Sequence, residues 1–485
     1  MFKTLKKFLN LRFEGGSSSY KHGISTQYNI NVSPNAEYGF SRQNLIARSR
    51  SLAENNELAS NALTLYCDYT IGSFITIDFT KLKGSESSIA KMKEIFDEVR
   101  ESTSLDFYGK FNFDELIWNA LYLALKDGDV FIRKMVDYKS PFNCSFQLLE
   151  YDQLARDVIN PPKYTDGSYI DKGIRYDSQG RVIGYFFYKT HPSGENIANY
   201  GETVEIEADK IHHLSYSLKN RPAQALAMPL LTPVIVRLDQ LSQYDRSQIR
   251  KQTLSGMFAM ILKKSGLGGF FGNAPNSGKA DAGIPPISAG KTRIDTATDG
   301  TVLELGEGFE ASFPTQPKTD EYEAYHLVNG RLVAVGTHIP EPLLTNNFAS
   351  VNFSSLRGAM LPFLKRTKML RNGVVYRLLG YMFKEVIAFA NVKYDLGLTK
   401  LPRPRFEAMF MFDPVKEAEA LKKMLRLGVM SYKDAVAEYS NSTYEELLAE
   451  RAAYRQDKIT NKLYDDGDPA DDLGRFKTSN KNANT

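Results

Sequence analysis

From Met228 to Gln252 the chain reads MPLLTPVIVRLDQLSQYDRSQIRKQ, with Leu230, Leu231, Val234, Leu238 and Leu241 at the spacing of one helical face. The pattern predicts one long helix whose first half packs on ordinary core. Pro229 and Pro233 fall near its start, where a missing amide donor costs least. About 24 residues rising ~1.5 Å each give a rod of about 36 Å. Beyond Ser242 only Tyr244 and Ile249 are clearly apolar, among Asp245, Arg246, Arg250 and Lys251. No heptad pattern runs through this half, so it bridges, frays, or meets copies of itself through polar contacts.

Elsewhere the pattern alternates between helical and strand periods. Ser41 to Tyr69 carries Leu45, Leu52, Leu58, Ala62 and Leu65 at helical spacing, with a polar break at Glu54 to Glu57. Ile75, Ile77 and Phe79 alternate as in a strand; Lys91 to Val99 and Phe113 to Leu125 are helical, and Gly128 ends the second. The runs VFIRKMV, SFQLLEY, GIRYD and VIGYFFYK read as strands, the last two joined at SQGR, where Gly180 supplies the positive φ of a tight turn. This first portion, about Ser41 to Ala225, is α+β. After a Gly-rich excursion at Ser265 to Pro286 and a β-like TVLELGEG, Thr319 to Val335 is a second long helix candidate. His338 to Phe353 is expected to be irregular. A further helix starts near Ser354 with SSLR as its cap and bends at Pro362, with Val374, Leu378, Met382 and Phe383 inward. LPRPRFEAMFMF is extended. Asp413 caps a helix with Pro414 in its first position and Gly428 after its end, and two more helices lie near Ser431 to Tyr439 and Thr443 to Tyr454. The final polar residues are expected to be disordered.

Composition narrows the classes. At 42% hydrophobic and 24% charged the 485 residues are ordinary globular protein, long enough for about three domains. Lys and Arg exceed Asp and Glu by 61 to 57, a net +4, which suits loose or local contact with nucleic acid rather than a duplex clamp. Cys67 and Cys144 form no disulfide framework, which points to a reducing compartment. The opening MFKTLKKFLNLRF lacks the continuous apolar core of a signal peptide, and no run is long enough to span a bilayer. It reads as a basic arm or a short amphipathic helix.

Enzyme chemistry is scarce. GNAPNSGKA places five residues between Gly272 and Gly278, and GIPPISAGKT places six between Gly283 and Gly290, so neither is a phosphate-binding loop. GLGGFFG is out of register for a dinucleotide fingerprint. His212 and His213, adjacent in a strand, point to opposite faces and share no metal easily. There is no nucleophile elbow and no zinc spacing. One acid pair, Glu150 and Asp152, is expected on one face of a strand, either as catalytic carboxylates for metal-dependent nucleic-acid processing or as a solvated strand end.

Four blocks in order resemble the lambda-type family of phage portal proteins. ARSRSLAENNELASNAL holds Arg48, Arg50, Asn55 and Asn56, and RPAQALAMPLLTPVIVRLDQLSQY resembles the family's entry into a long helix. NFSSLRGAMLPF holds Asn352, Ser354, Ser355 and Arg357, and FDPVKEAEALKKMLRLGVMS holds Asp413, Pro414, Lys416 and Glu417. Together they cover roughly Ser41 to Asp457. Ala225 and Leu226 stand where the family commonly has Arg-Gly, and Pro342 where an acidic residue is usual.

The resemblance implies a portal-type α+β fold and a ring of twelve. Its parts would be an N-terminal arm (1–40), a wing (41–227), a first stem helix (228–254), a clip (255–318), a second stem helix (319–337) and a tunnel loop (338–353). A kinked channel-lining helix (354–390), a return to the wing (391–412), a helical crown (413–456) and a disordered tail (457–485) would follow. Leu344, Thr345, Asn346, Asn347, Ser350 and Asn352 would face DNA at the tunnel loop; Arg246, Arg250 and Lys251 would face neighbouring subunits or the channel. Implied partners are double-stranded DNA held without sequence preference, the large terminase subunit, the major capsid protein and scaffold, and neck or adaptor proteins. Neither a cofactor nor a membrane is implied. The protein would sit at the portal vertex of the virion after assembly in the host cytoplasm.

Overall fold

The computed structural model describes residues 33–39, 41–138, 140–158, 164, 166–192, 201–216, 221–222, 224–257, 261–264, 309–312, 319–349, 351–407, 413–440 and 442–461. The Gly-rich excursion, the N-terminal arm up to residue 32, Ser350 and the tail from residue 462 lie outside them.

Helices α1 (Pro34–Gly39), α2 (Arg42–Asn55) and α3 (Glu57–Ile71) come first. The expected polar break narrows to Asn56, whose extended backbone (φ −134°, ψ 123°) ends α2. Its side chain then accepts the Ala59 amide at 3.0 Å, capping α3. Strand β1 (Ile75–Asp78) buries Ile75 and Asp78, not an alternating apolar set, because Asp78 accepts from Thr80 and pairs with Arg405. Helix α4 (Glu86–Glu101) starts at a Ser85 cap, and α5 (Phe113–Asp127) at a reciprocal Asn112/Glu115 capping box. Gly128 stops α5 at φ +96°, where a Cβ would also lie 2.5 Å from the Ala227 carbonyl.

Strands β2 (Asp129–Val136), β3 (Cys144–Leu149), β4 (Tyr169–Asp171), β5 (Ile174–Tyr176), β6 (Val182–Tyr188), β7 (Thr203–Glu207) and β8 (Ile211–Ser215) form two antiparallel sheets, ordered β3-β2-β8 and β4-β5-β6-β7. The predicted hairpin between β5 and β6 forms with Gly180 at φ +82°. Phe131, Tyr185 and Phe187 join the sheets edge to face in a small core.

The long helix α6 is Ile235–Met257, 23 residues, and so begins and ends later than the periodicity suggests. Residues 228–234 are turns instead: Thr232 donates both its amide and its hydroxyl to the Pro229 carbonyl, so both prolines precede the helix. Strands β9 (Ile261–Lys264) and β10 (Phe309–Ser312) pair antiparallel, and α7 (Thr319–Thr337) follows. The segment expected to be irregular contains a short helix, α8 (Glu341–Thr345).

Helix α9 (Phe353–Leu370) is capped by Asn352, which accepts the Ser355 amide at 2.8 Å; the SSLR hydroxyls are not the cap. It runs through the exposed Pro362 and is interrupted later, at a π turn over Arg371–Val375, before α10 (Tyr376–Tyr394). The extra residue of the π turn rephases the apolar face, so Leu370, Val374, Val375, Leu378, Met382 and Phe383 all stay buried. Strand β11 (Arg403–Phe406) returns to pair with β1 in the register Ile75↔Phe406. Helices α11 (Pro414–Arg426), α12 (Tyr432–Tyr439) and α13 (Tyr444–Asn461) end the described chain, α13 reaching past the expected start of the tail.

One large core joins α2 to α5, the turns before α6, the end of α7, Ile339, Leu344 and α9 to α10. The connection after α7 is therefore rooted in the same core as the sheet-bearing portion.

Candidate functional site

The connection between α7 and α9 is built from inside outward. His338, at φ +60°, turns the chain off α7, and Ile339 is buried. Tyr66 of α3 donates its hydroxyl to the Thr337 carbonyl at 2.8 Å, and Asn61 of α3 donates to the Leu344 carbonyl at 2.8 Å. Leu344 is 1% exposed, so it is core and cannot face DNA as the sequence suggested. Thr345 is half-buried and donates its hydroxyl to the Glu341 carbonyl at 2.8 Å. Asn346, left-handed at φ +54°, and Asn347 are exposed, with Phe348 beside them. Asn352 is exposed but spends its side chain on the α9 cap, also accepting from Ser354 Oγ at 3.0 Å. From Pro342 to Leu356 no side chain carries a charge. The result is an uncharged tip with amide side chains on a buried base. It can offer a polyanion weak, exchangeable hydrogen bonds and no phosphate grip.

Helices α6 and α7 lie side by side in opposite directions. Val234 meets Gly336, Arg237 donates to Asn329 at 2.8 Å, and Asp245 meets both Tyr322 and His326, at 3.1 and 2.5 Å. Tyr244 packs on Tyr325 with ring centroids 4.0 Å apart. Asn56 reaches this pair from the cap of α3, donating to Ser242 Oγ at 3.3 Å. Arg246, Arg250 and Lys251 are exposed on α6.

Glu150 and Asp152 do not share a strand face: β3 ends at Leu149, and Asp152 lies in the single 3-10 turn Tyr151–Gln153. Both meet Arg50, which bonds Asp152 and lies 3.5 Å from Glu150. Arg50 also grips the buried Asp127 through two nitrogens at 3.0 and 2.6 Å. Burial lifts the Asp127 carboxyl above its usual range even with Arg50 on it, and Arg50 itself is pushed up by Asp127 and Asp152 against its own burial. Glu150, Asp152 and His191 place ligand atoms within 4.8 Å of one another, the geometry of a metal site. Arg50 supplies a positive charge to both Glu150 and Asp152, which makes the pair part of an ion-pair network with Asp127.

A second network sits beneath it. Asp129 is fully buried and accepts from Arg42 at 2.5 Å and from the Ala227 amide at 2.8 Å, with His213 Nε2 2.9 Å from its other oxygen. Burial pushes Asp129 up, but Arg42 and His213 more than offset this and leave it below the usual carboxylate range. As the strand pattern predicts, His213 and His212 point apart: His213 stacks on Phe131, His212 on Tyr381.

The motif residues are mostly structural. Asn55 donates to the Ser51 carbonyl at 2.9 Å, and Arg48 is half-buried. Asp413 accepts the Lys416 amide at 3.1 Å and pairs with the Lys416 ammonium at 3.0 Å, with Pro414 at the first position of α11. Arg357 lies 3.4 Å from Glu417, so the Asn-Phe-Ser-Ser-Leu-Arg block and the Asp-Pro helix meet. Sequence reasoning missed Asn61, Tyr66 and the Asp127/Asp129 pair around Gly128. Their partners are far apart in the chain, and no local spacing announces them.

A model described as "Phage portal protein, lambda family" matches residues 25–371, and the chain belongs to that family. It is 20% identical over 448 residues to portal protein B of Escherichia phage lambda, covering 85% of this chain and 83% of that one. To the portal protein of Escherichia phage N15 it is 19% identical over 459 residues, again covering 85% and 83%. Similar solved structures include the neck of an empty GTA particle computed with C6 symmetry (TM-score 0.44, 13% identity, covering 81% of this chain and 92% of that one). Another is the neck of the native GTA particle computed with C12 symmetry (TM-score 0.44, 12% identity, 81% and 94%). Among the described residues no helix is long and apolar enough to cross a membrane.

Proposed function

We propose that copies of this chain close into a ring of twelve at one capsid vertex, through which double-stranded DNA is packaged and ejected. The match to the portal family over residues 25–371 carries this reading. In it the sheet-bearing portion with α1 to α5 and β11 is the wing, α6 and α7 the stem, and the region between them the clip. The connection after α7 is the tunnel loop, α9 and α10 line the channel, and α11 to α13 form the crown. The chain turns over nothing itself; a terminase ATPase docks at the clip during packaging, and neck or adaptor proteins replace it. Major capsid protein and scaffold surround the wing, and assembly takes place in the host cytoplasm.

The uncharged tip at Asn346 and Asn347 supports this reading, because DNA that must slide is served by contacts it can exchange at little cost. The nuclease alternative loses ground at Arg50, which ion-pairs with both Glu150 and Asp152. Electron microscopy of the purified chain tests the proposal: end-on views should show closed rings with a central hole. Monomers or closed dimers at every salt and protein concentration would refute it.

A further inference from the structure

Helix α11 buries no residue. Leu421, Met424 and Leu425 are half-buried, and the turn into α12 carries Leu427, Val429 and Tyr432 at 77, 73 and 63% exposure. That turn is fixed in place. Gly428, at φ +70°, donates its amide to the Leu425 carbonyl at 3.2 Å, and Val429 donates to the Met424 carbonyl at 3.1 Å. Apolar residues exposed singly need no explanation, but a group held together on one bonded turn marks a contact surface.

The charges around this surface are of one sign. Lys422, Lys423 and Arg426 are exposed and make no ion pair among the described residues. Of the two acids on α11, Glu417 meets Arg357 and Glu419 lies about a turn before the cations. Asp434, Glu438 and Glu445 are taken by Ser431, Lys368 and Lys433. The cover must therefore be acidic and bring apolar residues of its own. The chain carries such a stretch just beyond α13: LYDDGDPADDL, at 463–473, has aspartates at 465, 466, 468, 471 and 472, no cation, and Leu463, Tyr464 and Leu473 at its ends. Duplex DNA has the charge but offers no apolar side chain to Leu427 and Val429.

This stretch is within reach. Lys433, next to Tyr432, bonds Glu445 at 3.1 Å and lies over the Tyr444 ring, so α13 starts beside the surface. The 18 residues of α13 carry the chain about 27 Å at most, and ten extended residues return it by about 33 Å. A segment tethered this closely is presented at an effective concentration on the order of millimolar.

We infer that residues 463–473 fold back onto the end of α11 in the same copy, aspartates against Lys422, Lys423 and Arg426 and the flanking apolar residues against Leu427, Val429 and Tyr432. The contact needs no second copy, so it stands or falls apart from the ring reading.

Hydrogen exchange on the full chain, followed by mass spectrometry, is the test. Amides of 427–432 should exchange about tenfold faster when Asp465→Asn, Asp466→Asn, Asp468→Asn, Asp471→Asn and Asp472→Asn are combined. Lys422→Glu with Lys423→Glu and Arg426→Glu should have the same effect. Adding Asp→Lys changes at the five aspartates to that triple variant should restore slow exchange, which a local defect in either segment would not allow. Raised salt should act on the parent as the Asn changes do. The three cations are exposed, so melting of their variant should match the parent. Equal exchange in the parent and the five-Asn variant would overturn the inference. Slow exchange that appears only on adding duplex DNA, or only with rising protein concentration, would also overturn it and assign the surface to nucleic acid or to a second copy.

Discussion

A methyl group added at Gly336 would sit 2.3 Å from Cγ1 of Val234, closer than any Cβ is found in practice. The turn that leads into α6 therefore meets α7 at a point where α7 must have no side chain. Gly336→Ala gains up to about 1 kcal/mol of helix propensity. It forces apart a β-branched neighbour with little rotamer freedom, at a cost of about 1–3 kcal/mol. Net destabilisation is expected in thermal melts. Val234→Ala in the same chain should recover most of it, so the double-mutant cycle should show coupling of about 1 kcal/mol or more.

Leu344 and Asn347 are three residues apart yet should behave oppositely. Leu344→Ala opens a cavity in the main core and should cost about 2–5 kcal/mol. Asn347→Ala changes an exposed tip and should stay within about 0.5 kcal/mol. If Asn347 touches sliding DNA, its substitution should change packaging rate without moving the melting temperature, and paired melting and packaging assays would separate the two roles.

Removing Arg50 should convert an ion-pair network into a metal site. Arg50→Ala leaves Asp127 buried and unpaired beside Asp152 and Glu150, and should cost about 3–5 kcal/mol. Magnesium or manganese should then recover part of the loss in the variant and do nothing to the parent. A parent chain whose melting temperature rises with either ion would contradict the assignment of Arg50 as the resident cation.

His212 sets an acid-side limit. Burial, then Arg377 and His213, hold its imidazole down to about 4 from an ordinary 6.5. The unfolded chain thus takes up a proton below about pH 6.5 that the folded chain refuses until about pH 4. The stability from the neutral ring is complete above the upper value and is lost progressively toward the lower one, about 3 kcal/mol in all. His212→Phe, which keeps a ring against Tyr381, should flatten the fall in denaturation midpoint across that window. Asp129, held low, should add a further loss only below the ordinary carboxylate range.

Much of this fold could be read from periodicity because its elements announce themselves locally. The Asp413 cap with Pro414 behind it, the Gly180 turn and the apolar steps of α3 and α5 are properties of neighbouring residues. The start of α6 was misplaced because Leu230, Leu231 and Val234 are buried in turns at helix-like spacing, and spacing alone does not distinguish the two. Leu344 was taken for a loop tip because loops are assumed to lie outside; only its neighbours in space, brought by α3 and α9, make it core. Glu150 and Asp152 looked like a catalytic pair because Arg50, the residue that answers them, lies far up the chain.

Along α3, Asn56 touches α6 at Ser242, Asn61 holds the Leu344 carbonyl, and Tyr66 holds the Thr337 carbonyl while its ring packs on Phe363 of α9. An α-helix is stiff along its axis, so these four attachments cannot shift independently. Helix α3 thus ties α6, the end of α7, the base of the uncharged tip and α9 to one element. The base of the uncharged tip therefore shares its anchor with both long helices, and a substitution at Asn61 or Tyr66 loosens the tip at its root.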